Sequence, residues 1–282
     1  MTMYPGAVAG QVTVDGVDVR FVDSGNDRGS RHTFVLVHGT GGSAERSFWT
    51  VFPMIATRHR VIAMDLSDKD PGSDALSLDW MVTQVRAVVQ AVAPAGAVVL
   101  GHSLGAVVAA RLAARHPELV EHLVLVAGWA ATDRHQRLRN SVWQAMHDSQ
   151  HEALPEFMTL TAYSPTHLNS LNDAEFDALV EQSRSAPDRS RAMELNRTVD
   201  IRQDLPSIRA RTLVVACEND WMAPVHQSHL LFGGIADARL AEVPSGHAVM
   251  TERPAQIFRL AHDFVNAEPG FEAGALLAAT HA

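Results

Sequence analysis

The chain has 282 residues, 46% hydrophobic and 20% charged, which suits one globular domain with an insertion and excludes a disordered chain. Its formal charge of -9 argues against a nucleic-acid partner, whose phosphates need a basic surface. A single cysteine, Cys217, leaves no intramolecular disulfide, and no run reads as a signal peptide or a bilayer span, so a cytoplasmic protein without membrane contact is expected.

In chain order, residues 12–22 alternate apolar and polar side chains around Asp15-Gly16, which predicts a leading β-hairpin. Residues 26–31 read as a polar loop. Thr33-Phe34-Val35-Leu36-Val37-His38 predicts a short buried strand that enters the glycine-rich Gly39-Thr40-Gly41-Gly42-Ser43. No Gly-Lys-Ser/Thr follows and Gly-x-Gly-x-x-Gly is absent, so this loop lacks the marks of a phosphate cradle. His38 is expected to hydrogen-bond a loop backbone. Residues 48–55 predict a short helix and 60–66 a strand, with Asp65 as a loop anchor. Residues 79–91 predict a helix with Trp80, Met81, Val85, Val88 and Val89 mainly on one face.

The pivot is Val98-Val99-Leu100-Gly101-His102-Ser103-Leu104-Gly105. A β-branched run ends in Gly-His-Ser-Leu-Gly, and an alanine-rich, strongly helix-forming segment starts at once. A strand therefore feeds a helix through a very short turn, with Gly101 and Gly105 where side chains would collide. Ser103 is left with its hydroxyl at a helix N-terminus. Pro117 ends that helix, and residues 123–129 form a fully apolar run that predicts a buried parallel strand. From 131 to 205 no buried strand is evident. Helical segments are predicted at 134–149, 153–160, 173–182 and 189–195, broken at Ser164-Pro165 and Ala186-Pro187. Strands return at 211–220, ending in Asp220-Trp221-Met222-Ala223-Pro224, and at 238–244, followed by Ser245-Gly246-His247. Residues 254–265 predict a closing helix and 268–282, rich in Ala and Gly, a loose tail.

The Gly-His-Ser-Leu-Gly turn, the Asp-x-x-x-Pro turn and the Gly-His after the last strand stand in an order that resembles the α/β-hydrolase family. The resemblance implies a doubly wound, mostly parallel, eight-stranded sheet. The core would span 1–130 and 206–267, and a helical cap 131–205. It implies Ser103 as nucleophile, His247 as base and Asp220 as acid, with Glu218 as rival acid. The chemistry needs these types: a hydroxyl is a weak nucleophile at neutral pH, an imidazole can take and return its proton, and a carboxylate fixes the imidazole tautomer. Backbone N–H groups of Thr40 (Gly41 as second choice) and Leu104 are implied as the oxyanion hole. Gly39, Gly41, Trp129, Met146, Phe157, Tyr163 and Trp221 are expected around the substrate, with Met158, Leu160 and Phe176 as further cap candidates. His102 is left outside the site and Cys217 reads as a core thiol.

Where the family usually continues from Asp65 with a Gly-rich turn, this chain has the more acidic Ser67-Asp68-Lys69-Asp70-Pro71-Gly72-Ser73, expected near the pocket rim. No cofactor is implied, and no His-x-x-x-His cluster or cysteine pair suggests a metal. The expected function is a serine hydrolase acting on a small carboxylic ester, thioester or lactone through an acyl-enzyme. A carbon–carbon bond hydrolase, a biosynthetic cyclase or acyltransferase, and a hydrolase-like ligand-binding receptor with little turnover stay open, as does oligomeric state. The partner is a small-molecule substrate in each case.

Overall fold

The computed structural model describes residues 6–25, 32–267 and 270–278, so the expected loop at 26–31 lies outside the described residues. The hairpin forms from β1 (Val8–Val14) and β2 (Val17–Asp23). Asp15 and Gly16 both take positive φ, 48° and 79°, the backbone that a two-residue hairpin turn requires. There follow β3 (Thr33–Val37), α1 (Ala44–Phe48), α2 (Val51–Ala56), β4 (Arg60–Met64), α3 (Leu78–Val92), β5 (Ala97–His102), α4 (Leu104–Arg115) and β6 (Val120–Val126). Five helices come next: α5 (Arg134–Asp148), α6 (Leu154–Ala162), α7 (Pro165–Ser170), α8 (Asp173–Arg184) and α9 (Ser190–Asn196). The chain closes with β7 (Arg211–Cys217), α10 (Val225–Gly234), β8 (Ala238–Val243), α11 (Val249–Glu252), α12 (Pro254–Asn266) and β9 (Leu276–Leu277).

The strands make one sheet in the order β1-β2-β4-β3-β5-β6-β7-β8-β9. The pairs β1/β2 and β2/β4 are antiparallel and every other pair is parallel. The expectation of eight strands and a loose tail is corrected here: Leu276–Leu277 adds a ninth strand beside β8. Leu240 N–H donates to the Ala275 carbonyl (3.0 Å), and Arg239 Nε to the Phe271 carbonyl (2.8 Å). An Ala- and Gly-rich composition hides two leucines there, and the edge of β8 offers them unpaired backbone groups.

The near-continuous apolar strands follow from burial on both sheet faces. Val35, Val37, Val99, Leu123 and Leu125 point to one core, packed with α3 and α4. Their neighbours Phe34, Leu36, Val98, Leu100, Val124 and Val126 point to the other, packed with α1, α2 and α12. Period-2 alternation thus divides one apolar run between two cores. The segment expected as a cap leaves the sheet after β6 through a pinched neck. Thr132 N–H donates to the Val199 carbonyl (2.9 Å) and Ile201 N–H to the Ala130 carbonyl (2.8 Å). Among the described residues, no helix is long and apolar enough to cross a membrane.

Candidate active site

Ser103 sits between β5 and α4 at φ 58°, ψ −125°, a backbone that a non-glycine residue rarely adopts. Its neighbours explain how the turn holds. A Cβ on Gly101 would run into the Gly105 carbonyl, and one on Gly105 into the carbonyl of Val37 on β3. Backbones therefore touch where side chains are absent. Ser103 N–H donates to the Val126 carbonyl (2.9 Å), which fixes the turn against the end of β6. Leu104 is fully buried and opens α4, so its amide is one of those left without a partner in the helix.

The ends of β5, β7 and β8 bring three distant side chains together. His247 Nε2 lies 2.7 Å from Ser103 Oγ, and His247 Nδ1 lies 2.7 Å from Asp220 Oδ2. A carboxylate only accepts, so Nδ1 carries the proton and Nε2 is free to accept from the serine hydroxyl. The turn after β7 holds Asp220 from the other side: its Oδ1 accepts from Met222 N–H (2.7 Å) and Ala223 N–H (2.8 Å). Its side chain has no exposed area, whereas Glu218 is exposed and outside this relay. The histidine loop is tied on three sides. Gly246 N–H donates to Glu252 Oε1 (3.1 Å), Ala248 N–H to the Ala162 carbonyl (2.8 Å), and His102 Nε2 to the His247 carbonyl (2.9 Å).

His38 ends β3 with both ring nitrogens engaged by backbone. Nδ1 donates to the Gly39 carbonyl (2.8 Å) and Nε2 accepts from Leu66 N–H (2.9 Å). Burial lowers its pKa, in keeping with a neutral ring. Asp65 anchors the start of α1 by accepting from Ala44 N–H (2.8 Å). Burial pushes the Cys217 thiol well above its ordinary range, so it stays protonated in the core.

Three histidines give the fold an acid sensitivity. Burial is the chief cause that pulls His59, His102 and His122 each down to about 4, from an ordinary 6.5. Between these values the unfolded chain binds more protons than the folded one. Stability is complete above pH 6.5 and is lost as pH falls toward 4. For His102 alone the loss from about pH 7 to about pH 5 is about 2 kcal/mol. Thermal melts should therefore drop by roughly 4–8 °C or more over that range. A melting temperature that holds steady would contradict this burial effect.

A cavity of about 230 Å³ opens over Ser103 and His247, floored by Gly39, Thr40 and His102 and walled by residues of α5, α6, α8 and α9. Of the residues expected there, Gly39, Thr40, Trp129, Tyr163 and Met158 line it. Gly41, Met146, Phe157, Trp221, Leu160 and Phe176 do not. Gly41 is covered by Arg189, whose Cβ lies 2.5 Å from where a glycine Cβ would stand. Met146 shares a helical stripe with Leu138 and Val142, which face outward and are exposed. The opposite stripe of α5, made of Gln136, Arg139, Asn140 and Trp143, turns inward; the first three line the cavity. On α6, Met158 and Ala162 face in while Phe157 and Leu160 lie on other faces. Trp221 is 59% exposed because the Asp220 turn sends it out and Met222 in. Residues 67–73, expected at the rim, contribute nothing to the lining; Asp70 instead braces its own loop, accepting from Ser77 Oγ (2.9 Å).

Sequence reasoning overlooked Arg46, Arg139, Arg189, Asn140 and Asn196, all of which line the cavity. The available signal was the polar stripe at 136, 139, 140 with Trp143, which marks an inward face by its large aromatic. At the opposite, N-terminal end of the strands, His32, Glu121 and His122 hold candidate metal-ligating atoms within 4.8 Å of one another, with no role in the relay.

Residues 34–260 match the model of a family described as the alpha/beta hydrolase family. Among similar proteins, a pyrrolizixenacetamide deacetylase of Xenorhabdus hominickii is 28% identical over 242 residues, covering 83% of this chain and 91% of that protein. A putative carbamate hydrolase RutD of Azorhizobium caulinodans is 32% identical over 245 residues, covering 80% and 88%. Among solved structures, an alpha/beta hydrolase enzyme from a Medee basin deep-sea metagenome library has a TM-score of 0.79 at 22% identity, over 92% of this chain and 98% of its own. The enol-lactonase of Burkholderia xenovorans has a TM-score of 0.75 at 18% identity, over 92% and 100%. At such identities the solved structures attest the fold alone.

Proposed function

Because this chain belongs to the alpha/beta hydrolase family and is a hydrolase, we propose that it cleaves a small carboxylic ester, or a related thioester, lactone or activated amide, through an acyl-enzyme on Ser103. The observation that carries the reading is the unbroken relay Asp220–His247–Ser103, with both links at 2.7 Å. As Ser103 Oγ bonds to the substrate carbonyl carbon, its proton passes to His247 Nε2 and the carbonyl electrons move onto oxygen. The backbone N–H groups of Thr40 and Leu104 receive that oxyanion, Leu104 with the added field of the α4 N-terminus. Collapse of the intermediate breaks the bond to the leaving group, which takes the proton from His247. A water molecule then repeats the sequence, releasing the acid and restoring the serine. Asn196 Nδ2 donates to Thr40 Oγ1 (2.8 Å), which ties the floor loop to α9 and steadies one donor. The names of two relatives, a deacetylase and a putative carbamate hydrolase, keep amide and carbamate carbonyls in range beside esters.

A fluorophosphonate probe tests the reading directly. The folded protein should label, and Ser103→Ala should not. A folded wild-type chain that resists labelling would instead favour a ligand-binding role for the same cavity.

A further inference from the structure

The cavity holds more positive charge than the relay beneath it explains. Arg46, Arg139 and Arg189 line it, and among the described residues no Asp or Glu does, although the chain as a whole carries a formal charge of -9. Arg139 stands on the inward face of α5. Its Nη2 donates to Asn140 Oδ1 (2.6 Å), while its Nε is buried with no hydrogen-bond partner. Arg189, just ahead of α9, lies against Gly41, next to Thr40 in the floor loop. Among the described residues neither arginine enters an ion pair, whereas Arg184 and Arg197, nearby in sequence, each have a glutamate.

Burial lowers Arg139 to about 10; the charge of Asp220 opposes that shift and the charge of Arg189 adds to it. Burial likewise lowers Arg189; the charge of Arg46 adds to that shift and the charge of Asp188 opposes it. Both remain cations at neutral pH. Two guanidinium groups that repel each other in a shielded space, with the charges of Asp220 and Asp188 felt but, among the described residues, no carboxylate in ion-pair contact, gain from a ligand that brings negative charge between them. A guanidinium fork matches the two oxygens of a carboxylate, and the cavity is small enough to suit a short chain.

We propose that Arg139 and Arg189 bind a free carboxylate on the substrate, away from the bond that is cut, so that the preferred substrate is a half-ester or half-amide of a small dicarboxylic acid. The proposal names the substrate class of the serine-hydrolase site and rests on that reading for its chemistry, but the anion site can be read without turnover.

Calorimetric titration with glutarate and with neutral glutaramide tests binding alone. Glutarate should bind the full chain at least about tenfold more tightly than glutaramide, as one charged hydrogen-bonded contact allows. Arg139→Gln and Arg189→Gln should each weaken glutarate by about tenfold, and Arg139→Lys, which keeps the charge without the fork, should recover part of the loss. In turnover, kcat/KM for 4-nitrophenyl hemiglutarate should exceed that for 4-nitrophenyl butyrate by about tenfold, and the double glutamine variant should lose the preference. Circular dichroism establishes that the variants are folded. Failure of glutarate to bind, equal affinity for acid and amide, or affinity that survives both substitutions in folded protein overturns the proposal. Glutarate binding that depends on both arginines, in a chain whose Ser103 resists fluorophosphonate, upholds the anion site while sinking the hydrolase reading.

Discussion

Ser103→Ala and His247→Ala are each expected to lower kcat toward an ester by roughly four to six powers of ten, and the double variant to fall little further. The near-equality follows from the relay. In the proposed mechanism the hydroxyl attacks only as His247 Nε2 takes its proton, so removing either partner removes the same event. What remains is catalysis by the oxyanion donors and by positioning, which needs neither side chain. The serine substitution is a clean one. Ser103 Oγ makes no capping bond to α4, so alanine deletes the proposed nucleophile without unpinning the helix, and the strained φ of 58° is held by Gly101 and Gly105 rather than by the hydroxyl. The histidine substitution leaves its own carbonyl for His102 to bind. Steady-state rates beside circular dichroism decide the matter. A loss of under about tenfold in folded protein would remove that residue from the mechanism.

The sheet was legible because its central parallel strands are apolar on both faces, its leading hairpin alternates apolar and polar side chains, and the turns that matter have residues with a local reason. Asp15-Gly16 and Gly101 through Gly105 are chemistry that only certain turns accept. His38 and Asp65 were readable for the same reason: polar groups at strand ends serve the nearest loop backbone. The wall of the cavity was not legible, because there the usual rule is inverted. Around a polar site, the side of α5 that faces inward carries Gln136, Arg139 and Asn140, while Leu138 is 69% exposed. A search for apolar residues therefore selects the wrong stripe, and Met146 with it. Proline was legible as well: the helical stretch breaks at Ser164-Pro165, α6 ending at Ala162, and the same pair starts the next helix, since Ser164 Oγ accepts from His167 N–H (3.1 Å) and Pro165 opens α7, a position where its missing N–H has no cost. The ninth strand is two residues long and gains its pairing wholly from β8, so no local signal announces it.

Asp220→Asn should lower kcat by about four powers of ten, less than His247→Ala but far more than Glu218→Gln, which should stay within about twofold. The size of the effect comes from how the carboxylate is held. Its Oδ1 accepts from two amides, Met222 N–H and Ala223 N–H, so an asparagine must place its oxygen there. The amide NH2 is then forced to face His247 Nδ1, donor against donor, in a pocket that admits no rotation to solvent. The ring escapes the clash only by moving its proton to Nε2, and in that tautomer it cannot accept from Ser103. The variant keeps its shape and loses its base. Glu218, exposed and outside the relay, has no such leverage despite lying two residues away. Parallel measurement of kcat for the two amide variants separates the carboxylates. A larger loss from Glu218→Gln would move the acid to that side chain, and the 2.7 Å contact between Asp220 and His247 would then be structural only.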